Sequence, residues 1–184
     1  MITVQPIHYT SDPDGWHRFA ETIGLRAAFP TVRAWSELDA GGILAIHEIS
    51  VGDPLDGTTD LHLLVSDLDA VHDAVKDAGA QVAETTLENA GRMLTITAGD
   101  VRVTVSGGPR STTGDPCVLP IQYVQDLAEA DRLYRALGLR PRIAAVDGVW
   151  ADYVGEGGGL AALHHGELWI NGVQHDLYGY RLLG

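Results

Sequence analysis

The residues with chemistry to offer are two aromatic–acid pairs and a set of histidines. Trp35 and Glu37 stand two residues apart, and Trp150 and Asp152 repeat that spacing. In a strand, a period of two puts both members of a pair on one face. An indole beside a carboxylate suits a planar or cationic molecule, through stacking and charge. Turned towards a helix, the same face would make the indole a core residue. His8, His47 and His62 also fall in strand-like segments, and three imidazoles around one concave surface could hold a divalent ion. His164 and His165 are adjacent, so on a regular strand they point to opposite faces and cannot share one ion. His17, His72 and His175 read as helix-surface or tail residues. Cys117 is the single cysteine, which excludes an intramolecular disulfide and a cysteine-rich zinc site. The glycine run at 155–159 opens no helix, so it is not a phosphate cradle.

The elements that must position these residues come in repeats. Pro6-Ile7-His8-Tyr9-Thr10-Ser11-Asp12 returns as Pro120-Ile121-Gln122-Tyr123-Val124-Gln125-Asp126, and Gly24-Leu25-Arg26 returns as Gly138-Leu139-Arg140. Trp35 then meets Trp150, and His47 meets His164, once a few insertions are allowed. An internal repeat determines architecture before any single motif does. In each copy a short strand runs into a helix capped by Ser or Asp, with apolar residues at helical spacing (Trp16, Phe19, Ala20, Ile23) and a glycine at its end. An antiparallel set of strands follows. A looser copy starts at Asp60, with Ser66-Asp67 before its helix. The chain therefore reads as α+β, with tandem βαβββ modules: 1–50 and 58–107 paired within 1–108, a linker at 109–116, and a third module in 117–184 that carries a truncated fourth, whose final strand lies at about 167–171.

Bulk properties narrow the classes. There are 25 acidic against 12 basic side chains, for a net charge of −13. That disfavours a nucleic-acid partner, which calls for a basic face. No apolar run reaches the ~20 residues of a membrane span, and the N-terminus lacks the order of a signal peptide. The expectation is a cytoplasmic protein with a small-molecule ligand and no nucleic-acid or membrane partner.

Three βαβββ units with these caps and glycine turns resemble the vicinal oxygen chelate superfamily, which includes glyoxalases, bleomycin-resistance proteins and extradiol dioxygenases. The segments that carry the resemblance are Tyr9-Thr10-Ser11-Asp12-Pro13, Leu63-Leu64-Val65-Ser66-Asp67-Leu68-Asp69 and Leu133-Tyr134-Arg135-Ala136-Leu137-Gly138-Leu139. The resemblance implies paired units whose sheets form a cup around one ligand site. It also implies a divalent ion (Ni, Mn, Fe or Zn) held by the first and last strands of each unit. Carried onto this chain, those positions fall at Gln5, Ala45, Asp60 and Thr104, of which only Gln5 and Asp60 could ligate; a shifted register brings in His8, His47 and His62.

Two expectations follow. The first is a glyoxalase- or bleomycin-resistance-like protein with an incomplete metal site and no required cofactor. It would bind a small aromatic or cationic molecule, with Trp35, Glu37, His47, His62, Trp150, Asp152 and His164 as ligand-binding residues. The second is a metal-dependent lyase, isomerase or dioxygenase. A truncated fourth module would leave the third sheet open, so a homodimer is expected as well.

Overall fold

The computed structural model describes residues 1–88 and 91–166. The turn residues Asn89 and Ala90, the strand expected at 167–171 and His175 lie outside the described residues.

In chain order the elements are β1 (Ile2–Val4), β2 (Ile7–Thr10), α1 (Pro13–Thr22), β3 (Arg26–Ala27), β4 (Trp35–Ala40), β5 (Gly42–Glu48), β6 (Thr59–Asp60), β7 (His62–Val65), α2 (Leu68–Asp77), β8 (Gln81–Leu87), β9 (Gly91–Ala98), β10 (Val101–Gly107), β11 (Ile121–Val124), α3 (Leu127–Ala136), β12 (Arg140–Ala144), β13 (Trp150–Val154) and β14 (Leu160–His165). The mixed α+β modules are thus present three times. Asp12, Asp67 and Asp126 cap the helices identically, each side chain accepting from the backbone N–H three residues on. Gly24, Gly79 and Gly138 close them at φ of 95°, 91° and 91°, a left-handed conformation that a side chain would oppose.

The sheets are ordered β3-β4-β5-β2-β6, β1-β7-β10-β9-β8 and β11-β14-β13-β12. The first two are laced together. The expected single strand from Val4 to Thr10 is broken at Gln5-Pro6: β1 leaves for the second sheet, where it runs antiparallel to β7, while β2 stays in the first beside β5. The strand expected from Asp60 is broken in the same way, with β6 pairing β2 and β7 pairing β1. Each unit lends a strand segment to the other, and a pseudo-two-fold axis passes between Pro6 and Leu61. Ile2 pairs with Val65, Val4 with Leu63 and Ile7 with Asp60, so Gln5 lies opposite His62, and the axis relates Gln5 to Asp60 and Ile7 to His62.

One apolar core is shared by the helix-bearing faces of the second and third sheets, with Leu63, Val75, Leu94, Val103, Leu133, Tyr134, Tyr153 and Leu163 inside it. The first unit has its own core beneath α1, including Ala20, Leu38, Leu44 and Ile46. The third unit therefore docks by its helix side, and the opposite face of its sheet gathers Leu119, Ile121, Leu160 and Ala162.

The linker is stitched down along its length. Thr3 Oγ1 donates to the Arg110 carbonyl at 2.6 Å, Gly42 N–H donates to Thr112 Oγ1 at 2.8 Å, and Thr112 N–H donates to the Gly157 carbonyl at 2.7 Å.

Candidate functional site

The laced sheets enclose a cavity of about 910 Å³. Alternation along β2 sends Ile7 and Tyr9 into it and His8 to the other side, Gln5 lines it from the crossing between β1 and β2, and β7 contributes His62 and Leu64. Trp35, Glu37 and His47 come from β4 and β5, Met93 from β9 and Ser106 from β10, and Arg110 reaches in from the linker. Strand neighbours hold an aromatic group at one end. His47 lies beside Tyr9 in the ladder, with ring centroids 5.4 Å apart, and beside Trp35, whose ring meets it edge-on at 5.6 Å. Ile7 and Leu64 make the middle of the wall apolar.

Two charged groups of the wall, Glu37 and Arg110, are spent on each other, while Glu88, a further lining carboxylate, is exposed. Glu37 receives a guanidinium N–H from Arg110 and the Trp35 indole N–H at 3.2 Å. The other arm of Arg110 donates to Asp39 at 2.6 Å. The expected carboxylate floor for a cation is therefore already neutralised. The third unit repeats the arrangement: Arg142 donates two N–H bonds at 2.8 Å to Asp152, which is 3% exposed.

At the pseudo-axis the imidazole of His62 shares hydrogen bonds with Thr104 Oγ1 at 2.7 Å and Ser106 Oγ at 2.9 Å. Burial pushes its pKa down to about 4, against a smaller opposing effect of the Asp60 carboxylate. It is neutral at ordinary pH. Tyr9 is pushed up to about 12, first by burial and then by Asp60, whose Oδ2 accepts its hydroxyl at 3.4 Å. Gln5 is 2% exposed, and its Nε2 is buried with no hydrogen-bond partner among the described residues.

Of the sequence-derived ligand residues, Trp35, Glu37, His47 and His62 come together in the cavity; Trp150, Asp152 and His164 do not line it. The third unit packs helix-first on the second, so its sheet faces elsewhere. It nonetheless carries an image of the aromatic group, with Tyr123 5.2 Å and Trp150 6.0 Å from His164. His8 lies on the helix side of β2, 3.8 Å from the Trp16 ring and hydrogen-bonded to Thr59 Oγ1 at 2.9 Å, and so is not a cavity ligand. Asp60 is drawn to Arg102 at 3.1 Å. Gln5 and Asp60 are equivalent positions of the two units, and each lies opposite the other unit's strand, Gln5 facing His62 and Asp60 facing Ile7.

The donor set does not fit the divalent ion of the resemblance. Gln5 and His62 are available types, but Ala45 brings only a methyl group and Thr104 is engaged by His62, whose nitrogens both serve hydroxyls. Among the described residues no group of three or more His, Cys, Asp or Glu side chains could hold an ion.

Arg110, Tyr9, Met93 and Ser106 are lining residues that the sequence did not single out. Once the register is known, alternation finds the strand members. Arg110 gives no local signal, because its partners lie more than seventy residues away.

Solved structures share this architecture. A halotolerant catechol dioxygenase, BphC, aligns with TM-score 0.54 and 18% identity over 89% of this chain and 63% of its own. LapB, a 2,3-dioxygenase from Pseudomonas sp. KL28, aligns with TM-score 0.55 and 12% identity over 89% of this chain and 68% of its own. The chain shares the fold of these dioxygenases. A hypothetical protein from Staphylococcus aureus shares it at TM-score 0.58 and 8% identity, over 91% of this chain and 87% of that one. No family model and no curated protein sequence matches the chain. The chain spans less than two thirds of the length of BphC. Among its described residues no helix is long and apolar enough to cross a membrane.

Proposed function

We propose that the protein binds a planar, uncharged aromatic molecule in the cup between its first two sheets, without a metal, as a sequestering or carrier protein of the bleomycin-resistance type. The observation that carries this reading is the aromatic wall of Trp35, His47 and Tyr9, beside which the Glu37 carboxylate is already paired with Arg110. A cationic ligand would have to displace Arg110 from Glu37; a flat neutral one needs only the ring faces and the apolar strip of Ile7 and Leu64.

A second reading is ring cleavage or isomerisation at a metal, favoured by Gln5 and His62 facing each other in the cavity wall and by dioxygenases among the proteins of like fold. In that reading an ion would supply Lewis-acid chemistry to vicinal oxygens.

Elemental analysis separates the two. The protein is purified without a histidine tag or chelator and challenged with Ni, Mn, Fe and Zn. The binding reading expects no retained stoichiometric ion, together with uptake of neutral two-ring aromatics in equilibrium dialysis. About one ion per chain, lost on His62→Ala, would overturn it.

A further inference from the structure

Gln5 is the polar residue in the cup wall whose needs the protein leaves unmet. Its backbone is fully used: the N–H donates to the His62 carbonyl at 2.9 Å. Its carboxamide nitrogen is buried without a partner among the described residues, and leaving such a donor unsatisfied is costly. The neighbouring polar side chains cannot help. His62 is held between Thr104 and Ser106, so both of its ring nitrogens are engaged. A glutamine's last torsion is broad and turns easily, so the amide hydrogens can be presented to the cavity that Gln5 lines. From Gln5 to the aromatic group at Tyr9 is roughly 13 Å of strand, with Ile7 between. A molecule of two fused rings with one short substituent spans that distance once the side chains reach inward.

We infer that Gln5 is the specificity-determining residue of the cup, and that the ligand places a hydrogen-bond-accepting oxygen, a carbonyl or ether, against its amide while its rings lie against Trp35 and His47. The ligand class is thus neutral aromatic ketones, quinones and related oxygenated ring systems rather than plain hydrocarbons or cations. This rests on the reading of the cup as a binding site. It adds the chemistry of the end remote from the rings. A buried donor built for an oxygen rejects an isostere that lacks it, because the donor is then left unpaired.

The test uses two probes of one shape, 2-acetylnaphthalene and 2-isopropenylnaphthalene, which exchange a carbonyl oxygen for a methylene group. Each is dialysed against the full chain, against Gln5→Leu and against Gln5→Met, with melting curves to verify that each variant is folded. The expected result is about tenfold tighter binding of the ketone to the native protein, the order of one buried hydrogen bond. Both variants lose that preference and keep the affinity for the hydrocarbon. Equal binding of the two probes to the native protein, or a preference that survives both substitutions, overturns the assignment of Gln5 while leaving the cup as a binding site. Failure of both probes to bind the native protein overturns the cup reading, and the inference with it.

Discussion

Gln5 donates its backbone N–H to the carbonyl of His62 at 2.9 Å, at the point where the two units exchange strand segments. The two residues face each other across the crossing, yet their side chains behave oppositely. The His62 ring is fully hydrogen-bonded, and the Gln5 amide is not.

The buried His62 makes stability depend on pH. Its folded pKa of about 4 lies below the ordinary 6.5, so between those values the unfolded chain binds more protons. Stability falls as pH drops from 6.5 towards 4, and this group removes nothing further below that. Full expression of the shift would be roughly 3 kcal/mol. Urea midpoints at pH 6.5, 5 and 4 should decline, and His62→Gln should flatten the part of the decline that belongs to this ring.

Arg110 secures the linker to the cup. In Arg110→Ala the Glu37 carboxylate, 15% exposed, loses its counter-ion. The expected loss is about 1–2 kcal/mol, less than for a fully buried pair because Arg110 is 32% exposed. The same variant should gain affinity for a cationic aromatic such as N-methylquinolinium, which the native protein binds poorly. Denaturant titration and dialysis check the two halves separately, and Glu37→Gln in the Arg110→Ala background should abolish the gain.

The two indoles of the repeat should separate functionally. Trp35→Ala should weaken binding of a neutral two-ring ketone by about tenfold or more, the range for an aromatic contact plus lost area. Trp150→Ala, in a sheet that does not line the cavity, should leave that affinity unchanged. Equal effects from the two would misplace the ring-binding end.

Gly42 is where the first and third units touch. It sits at φ 95°, and a Cβ there would come within 2.8 Å of the Gly159 Cα and 3.0 Å of the Val4 carbonyl oxygen. Gly42→Ala combines a strained backbone with overpacking against main chain, for a loss of about 3 kcal/mol or more. A drop in melting temperature several-fold larger than that of Gly52→Ala, whose added methyl meets nothing within 4 Å, is the expected outcome.

The repeated Pro-Ile-x-Tyr segment and the Asp caps made the three modules legible, because capping and helix periodicity are local. The strand exchange was not legible. From Val4 to Thr10 the residues read as one strand, and only tertiary pairing decides that Val4 belongs with Leu63 and Ile7 with Ala45. That break also settled the site: it put His8 under α1 and His62 opposite Gln5, which a register argument could not do without knowing where the chain crosses. Trp35, Glu37 and His47 followed from period-two spacing. Arg110 sat in a stretch readable only as a loop, and its pairing with Glu37 changed the charge the cup offers.

The exchanged strands also bear on synthesis. β1 leaves the ribosome about sixty residues ahead of its partner β7. Until β7 and β10 have emerged, the nascent first unit holds an apolar strand, Ile2 to Val4, with no ladder to join. Neither half can close before the other exists, so the cup forms as one late event rather than by adding a finished module to a finished module. Cutting the chain between β5 and β6 should therefore yield two fragments that fold only when mixed.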